Sequence, residues 1–276
     1  MNMNWLQSIL LGLVPGITEF LPISSRAHSE VFRYLYGISG KDPVLSLVMH
    51  IAMLVALFFA MRPEFDQVQR EKKLRHRSKA RGDSAALQAL ADQRVVKNAI
   101  IPMWLLMLLL RYILRWEVQL PVTSLILLFN GIVLYLPSRM MLGNKNATGM
   151  SLLDSYLLGL SGALCILSGF SGVGLILSVA LFRGADRQKA WNWASFMMFP
   201  ALTAEAVIDI VDLISGVGGS GSGFFQYVLV AIATFLAAYG GILLMRRLIK
   251  ANQLSVFAYY SWGAALFSFL LYLSVI

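Results

Sequence analysis

Charge is scarce in this sequence: only 13% of its 276 residues are Asp, Glu, Lys or Arg, while 58% are hydrophobic. The mean hydropathy is +0.70. Soluble domains carry about 25% charged residues, so a soluble globular protein is excluded and a polytopic membrane protein is expected. Cysteine is scarcer still. The single Cys165 lies inside an apolar run, which rules out a disulfide framework within the chain and reads as a small buried hydrophobe. The sequence also lacks a phosphate-binding P-loop, a zinc spacing and a soluble nucleotide domain. The N-terminus has no basic flank or small-residue cleavage pattern, so residues 1–14 are expected to stay in the mature protein.

The charge that is present is concentrated. Net charge is +9, and residues 62–97 hold ten Lys or Arg against five Asp or Glu. The core of that loop, QREKKLRHRSKARGD, has no interleaved aromatics for base stacking, so nucleic acid is not expected as a partner. Attraction to anionic headgroups, or plain solvation, suits it better. The positive-inside rule makes the loop cytoplasmic.

Six apolar segments are candidates to span a bilayer core, which takes about 20 residues: 43–61, 98–112, 121–136, 190–214, 224–245 and 255–275. Basic turns at 62–97, 139–145 and 246–250 alternate with nearly uncharged ones, as expected for inside and outside turns. Two further apolar regions, 5–36 and 155–182, are each interrupted by Gly, Pro or Ser and read as re-entrant helix pairs. SILLGLVPGITEFLPISS from Ser8 aligns without gaps on SYLLGLSGALCILSGFSG from Ser155, an offset of 147. Each copy precedes three spans, and the flanking charge gives the copies opposite orientations. The expected architecture is therefore an all-α polytopic membrane protein, one membrane domain over 1–276, with inverted repeats at 5–140 and 151–276. Such repeats place their site where broken helices meet near the midplane, so residues 15–28 are expected to face 168–178.

The polar chemistry sits in the first break, PGITEFLPISSRAH from Pro15 to His28. Ionisable groups at such depth are costly and point to function. Glu19, Ser24, Ser25 and His28 supply a carboxylate, two hydroxyls and an imidazole for proton transfer and nucleophilic attack. Ser24 is also a candidate helix N-cap. Arg26 suits bidentate phosphate contacts or snorkelling to headgroups. His50 lies mid-span, suited to an interhelical hydrogen bond or a site role. Glu205 and Asp209 are four apart and share a helix face. Asp209 and Asp212 are expected nearer the outer end of that span, and Glu205 lies deeper, where it needs a partner.

GITEFLPISSRAH resembles the first motif of the undecaprenyl-pyrophosphate phosphatase family associated with bacitracin resistance, EGxTEFLPISSTGH. Collinear similarity extends to His50, residues 98–102, Gly169, Arg187 and Pro200, nearly the whole chain. The resemblance implies an inverted repeat with two re-entrant pairs in the bacterial inner membrane. It implies removal of the terminal phosphate of a C55 polyprenyl diphosphate during recycling of the cell-wall lipid carrier, with a divalent cation. Mg²⁺ or Ca²⁺ is expected, since the available ligands are oxygens, and a homodimer is possible. Carried over, Glu19, Ser25 and His28 are the catalytic candidates, Glu19 also a metal ligand, and Ser24, Arg26, Ser171 and Arg187 contact the substrate. Two departures stand out: Pro15 replaces the family's first glutamate, and Gly172, in SGFSGVGLI, stands where PGxSRSGAT has its arginine. Loss of such a contact costs about 3–4 kcal/mol, roughly a hundred- to thousandfold in rate. Arg26 and Glu205 are the candidates to compensate, with His50 in support. The competing expectation is a non-catalytic or weakly catalytic polyprenyl-phosphate binder or transporter on the same scaffold.

Overall fold

The computed structural model describes residues 4–38, 40–67, 69–70, 84–113, 119–140, 143–218, 223–251 and 253–274. Most of the basic run 69–83, Glu117 and part of the glycine-rich turn 215–223 lie outside them. Ten α-helices carry the described fold: α1 Trp5–Glu19, α2 Ser25–Leu35, α3 Pro43–Ala60, α4 Ser84–Ile113, α5 Leu120–Arg139, α6 Leu152–Ala163, α7 Gly172–Phe182, α8 Arg187–Ile214, α9 Phe224–Lys250 and α10 Leu254–Leu273. An isolated bridge between Lys145 and Ala185 is the one β contact among the described residues.

Five helices, α3, α4 from Ala91, α5, α9 and α10, are long and apolar enough to cross a membrane, so the protein is a multi-pass membrane protein. The sixth expected span, α8, is long enough at 28 residues. Its carboxylates set it apart, and the fold pairs them: Glu205 and Asp209 with His50, and Asp212 with Arg111. Helix α4 begins 14 residues before the apolar segment expected at 98, inside what reads in the sequence as the basic loop. That first part is built on Ala, Leu and Gln, good helix formers that hydropathy alone does not register.

Contacts at the helix ends fix relative directions. Near the starts of α3 and α9 the Tyr227 hydroxyl donates to Asp42 at 3.2 Å. Near their ends Arg246 donates to the Ala60 carbonyl at 3.0 Å and pairs with Glu64 at 2.9 Å. The two helices are thus parallel. So are α4 and α8, joined by Lys189 and Asp92 at one end (2.7 Å), by Trp104 Nε1 on the Pro200 carbonyl (2.9 Å) midway, and by Arg111 and Asp212 at the other. Arg139, Arg183, Arg187, Lys189, Arg246 and Lys250 gather at one end of the bundle.

Four helices are too short to span. At 1.5 Å per residue α1, α2, α6 and α7 reach only about 16–23 Å against a core of about 30 Å, and each pair folds back on itself. Small residues let these hairpins approach the long helices closely. Helix α1 packs on α9 through Gly12 and Gly16, where a Cβ would lie 2.7 Å from the Val230 carbonyl and 2.8 Å from that of Thr234. Helix α6 packs on α4 through Gly159, where a Cβ would lie 2.1 Å from the Ala99 carbonyl.

Candidate functional site

The two hairpin turns meet in the interior and are tied together by side chains. Ser24 caps α2, and its buried Oγ accepts from Ala27 N (3.4 Å) and, across the interface, from Gly169 N (3.0 Å). It holds φ at +66°, a left-handed conformation that costs a non-glycine residue about 1–2 kcal/mol. Those two bonds offset the strain. Ser171 caps α7 in the same way, accepting from Gly174 N at 3.2 Å and donating to the Leu21 carbonyl at 3.1 Å. Buried Asn130 on α5 completes the tie: its amide donates to the Pro22 carbonyl (3.1 Å) and Ser261 (3.2 Å), and its carbonyl accepts from Ser171 N (3.1 Å). Asn130→Ala orphans two buried backbone groups at about 1–3 kcal/mol each. Its melting temperature in detergent should fall by several degrees; an unchanged transition would show that the turns hold without it.

Beside this tie lies a pocket lined by Glu19 of α1, Ser25 and Arg26 of α2, Ser171 and Gly172 at the start of α7, and Glu205 of α8, with Cys165 and Phe170 closing it. It has room for about one water. Two helix N-termini, α2 and α7, converge on it, and their dipoles favour an anion. The Ser25 hydroxyl donates to the Pro15 carbonyl at 3.3 Å and lies against Glu19.

Arg26 Nη2 pairs with Glu205 Oε1 at 3.0 Å. The other Glu205 oxygen meets His50 Nε2 at 2.8 Å, and His50 Nδ1 meets Asp209 at 2.6 Å. Cys165 Sγ points at Glu205 Oε1 from 3.5 Å. The result is a chain of paired side chains, Arg26–Glu205–His50–Asp209, that gives each oxygen of the 5% exposed Glu205 carboxylate a partner and makes it tolerable at this depth. One donor is left over. Arg26 Nε is buried without a hydrogen-bond partner.

Of the expected site residues, the pocket brings together Glu19, Ser25, Arg26, Ser171 and Glu205, with His50 directly behind. Ser24 stands apart as a cap and a cross-turn tie. His28 turns to the other side of α2: Nδ1 bonds the Ser24 carbonyl at 2.7 Å and Nε2 the Tyr260 hydroxyl at 2.8 Å, the rings stacked 5.5 Å apart. Arg187 opens α8 at the basic end of the bundle, 18 residues and so about 27 Å of helix from Glu205. Asp209 and Cys165 were not singled out for the site. The shared face of Glu205 and Asp209 was the available signal for the first; the second gave none beyond its burial.

Gly172 and Arg26 line the pocket from the two facing hairpins. A Cβ on Gly172 would lie 3.0 Å from Cys165 Cβ. A divalent cation finds limited purchase. Among the described residues no three His, Cys, Asp or Glu side chains converge as a metal cluster, and both Glu205 oxygens are held by Arg26 and His50. Glu19 remains. Mg²⁺ commonly needs only one or two carboxylates when substrate phosphates supply other ligands, and the pocket fits that minimal arrangement alone.

Over 270 residues the chain is 28% identical to undecaprenyl-diphosphatase 1 of Shouchella clausii, covering 97% of this chain and 96% of that protein. It is 26% identical over 261 residues to an undecaprenyl-diphosphatase of Carboxydothermus hydrogenoformans, covering 94% of each. A third relative, an undecaprenyl-diphosphatase of Thermodesulfovibrio yellowstonii, is 28% identical over 272 residues and 96% of each chain. The family model described as bacitracin resistance protein BacA matches residues 8–273, and with nearly the whole chain inside that match the protein belongs to this family.

Proposed function

We propose that this protein is an integral membrane phosphatase of the bacterial inner membrane that removes the terminal phosphate of undecaprenyl, or a related polyprenyl, diphosphate and so recycles the lipid carrier of cell-wall synthesis. The observation that carries the reading is the unpartnered Arg26 Nε, buried beside Glu19 and Ser25 where two helix N-termini converge. A planar guanidinium in that position grips phosphoryl oxygens. The full-length similarity to proteins named undecaprenyl-diphosphatase supports the substrate class.

The chemistry follows from the lining. Ser25 Oγ attacks the terminal phosphorus as Glu19 takes its proton, and the bond from that phosphorus to the bridging oxygen breaks, releasing polyprenyl phosphate. Glu19 passes the proton to the leaving oxygen. A water then attacks the phosphoserine with Glu19 as base, and the proton returns to Ser25 as inorganic phosphate departs. Arg26 neutralises the phosphoryl oxygens through both steps. Glu205 and His50 hold its guanidinium in place. Glu19 would be the protein ligand for an Mg²⁺ or Ca²⁺ ion, which would supply further charge neutralisation at the diphosphate.

An inverted repeat underlies the site in this reading. Gly12 and Gly159 correspond at the offset of 147, and each seats its hairpin on a long helix of the other half. The pairs α3–α9 and α4–α8 match in the same way. The test is phosphate release from purified protein with undecaprenyl diphosphate, with and without chelator. Sustained release supports the phosphatase; tight lipid binding with no turnover overturns it.

A further inference from the structure

On the opposite side of α2 from the phosphate pocket lies a larger cavity, about 400 Å³, bounded by α2, α5 and α10. Ala27, Val31, Leu127 and Phe267 make its apolar walls, and Gly263 and Ala264 leave its floor bare. A Cβ on Gly263 would meet nothing within 4 Å. Glycine inside a helix costs about 1 kcal/mol relative to alanine, and here it keeps open space that any side chain would fill. Its polar features are the stacked pair of His28 and Tyr260 and the Ser268 hydroxyl, which donates to the Ala264 carbonyl at 2.8 Å.

We propose that this groove holds the first isoprene units of the substrate's hydrocarbon tail, an inference that rests on the phosphatase reading above. Groove and phosphate pocket share the first turn of α2: Ser25 and Arg26 line one, Ala27 and His28 the other. A lipid diphosphate gripped by Arg26 carries an apolar chain that must leave through apolar surroundings. The groove offers them within one helical turn, and its volume lies in the range of small-molecule sites, about 300–1,000 Å³. The pair of His28 and Tyr260 sits where the chain's polar end gives way to hydrocarbon.

Gly263→Leu sends a side chain into the groove from a position where its Cβ meets nothing within 4 Å. It should raise KM for undecaprenyl diphosphate at least about tenfold relative to isopentenyl diphosphate, whose single isoprene unit does not reach the floor, as a few methylenes in an apolar site can. Gly240→Leu is the control. Gly240 is an equally open helix glycine on α9 that does not line the groove, and its substitution should leave the ratio of the two KM values as it is. An unchanged ratio in folded Gly263→Leu overturns the proposal. A diazirine placed on the first isoprene units of undecaprenyl phosphate gives a readout independent of turnover and of any variant. Labelling of α10 around Ala264 and Phe267, displaced by unlabelled undecaprenyl phosphate and not by excess phospholipid, supports the groove. Displacement by phospholipid would assign it to bulk acyl chains, and labelling confined to other helices would refute it. If neither diphosphate is hydrolysed, the phosphatase reading falls, and the labelling pattern still decides the groove.

Discussion

Arg26→Ala should lower phosphate release from a polyprenyl diphosphate about a hundred- to thousandfold, the usual effect of losing one donor aimed at charge developing in a transition state. The reasoning is positional. A guanidinium from α2 enters a pocket that Gly172 lines from the facing hairpin, so one arginine can serve from either side. Arg26→Lys keeps the charge and loses the planar fork, and it should recover only part of the rate. Arg26→Thr combined with Gly172→Arg restores the family's pattern at these two positions and should exceed Arg26→Thr alone. Crowding by Cys165 Cβ, 3.0 Å from the new Cβ, limits the recovery. Unaltered steady-state release by folded Arg26→Ala would sink the idea that Arg26 took over the phosphate contact. Removing Arg26 also leaves one oxygen of the buried Glu205 carboxylate without its arginine partner, and a half-paired buried charge destabilises the fold. Melting curves in detergent must therefore accompany the kinetics.

Much of this fold is legible in the sequence because hydropathy sets helix length. Residues 43–61 and 255–275 read as spans, and α3 and α10 occupy Pro43–Ala60 and Leu254–Leu273. Ends carrying long basic side chains read less well. Helix α9 continues through Arg246, Arg247 and Lys250, past the apolar limit at 245, since such residues extend their charge to the interface while their stems stay on the helix. The site was half legible. Glu19, Ser25 and Arg26 announce themselves as polar residues in an apolar run. The link of His50 to α8 does not, since it joins side chains such as His50 and Asp209 that lie 159 residues apart in sequence. His28 shows the opposite failure: three residues past Ser25 it reads as a neighbouring base, and packing with Tyr260, 232 residues away, turns it to the other face of α2.

That turn leaves Glu19 as the base beside Ser25, and the second large effect follows. Glu19→Gln keeps shape and hydrogen bonding and removes the proton acceptor, so release should fall about a hundred- to ten-thousandfold. Ser25→Ala should fall at least as far if its oxygen forms the bond to phosphorus. The two variants separate by their intermediates. Wild-type protein quenched with acid during turnover of terminally ³²P-labelled diphosphate should carry label on Ser25; Ser25→Ala should carry none, and Glu19→Gln should form it slowly. Ser25→Ala gives up the hydroxyl's bond to the Pro15 carbonyl at 3.3 Å, worth about 1 kcal/mol, and its contact with Glu19, so melting curves accompany both variants. If Ser25→Ala retained a tenth of the wild-type rate, water rather than serine would be the attacking group. Glu19 would then still be needed to activate that water, so the loss in Glu19→Gln would persist while the labelled intermediate disappeared from every protein tested.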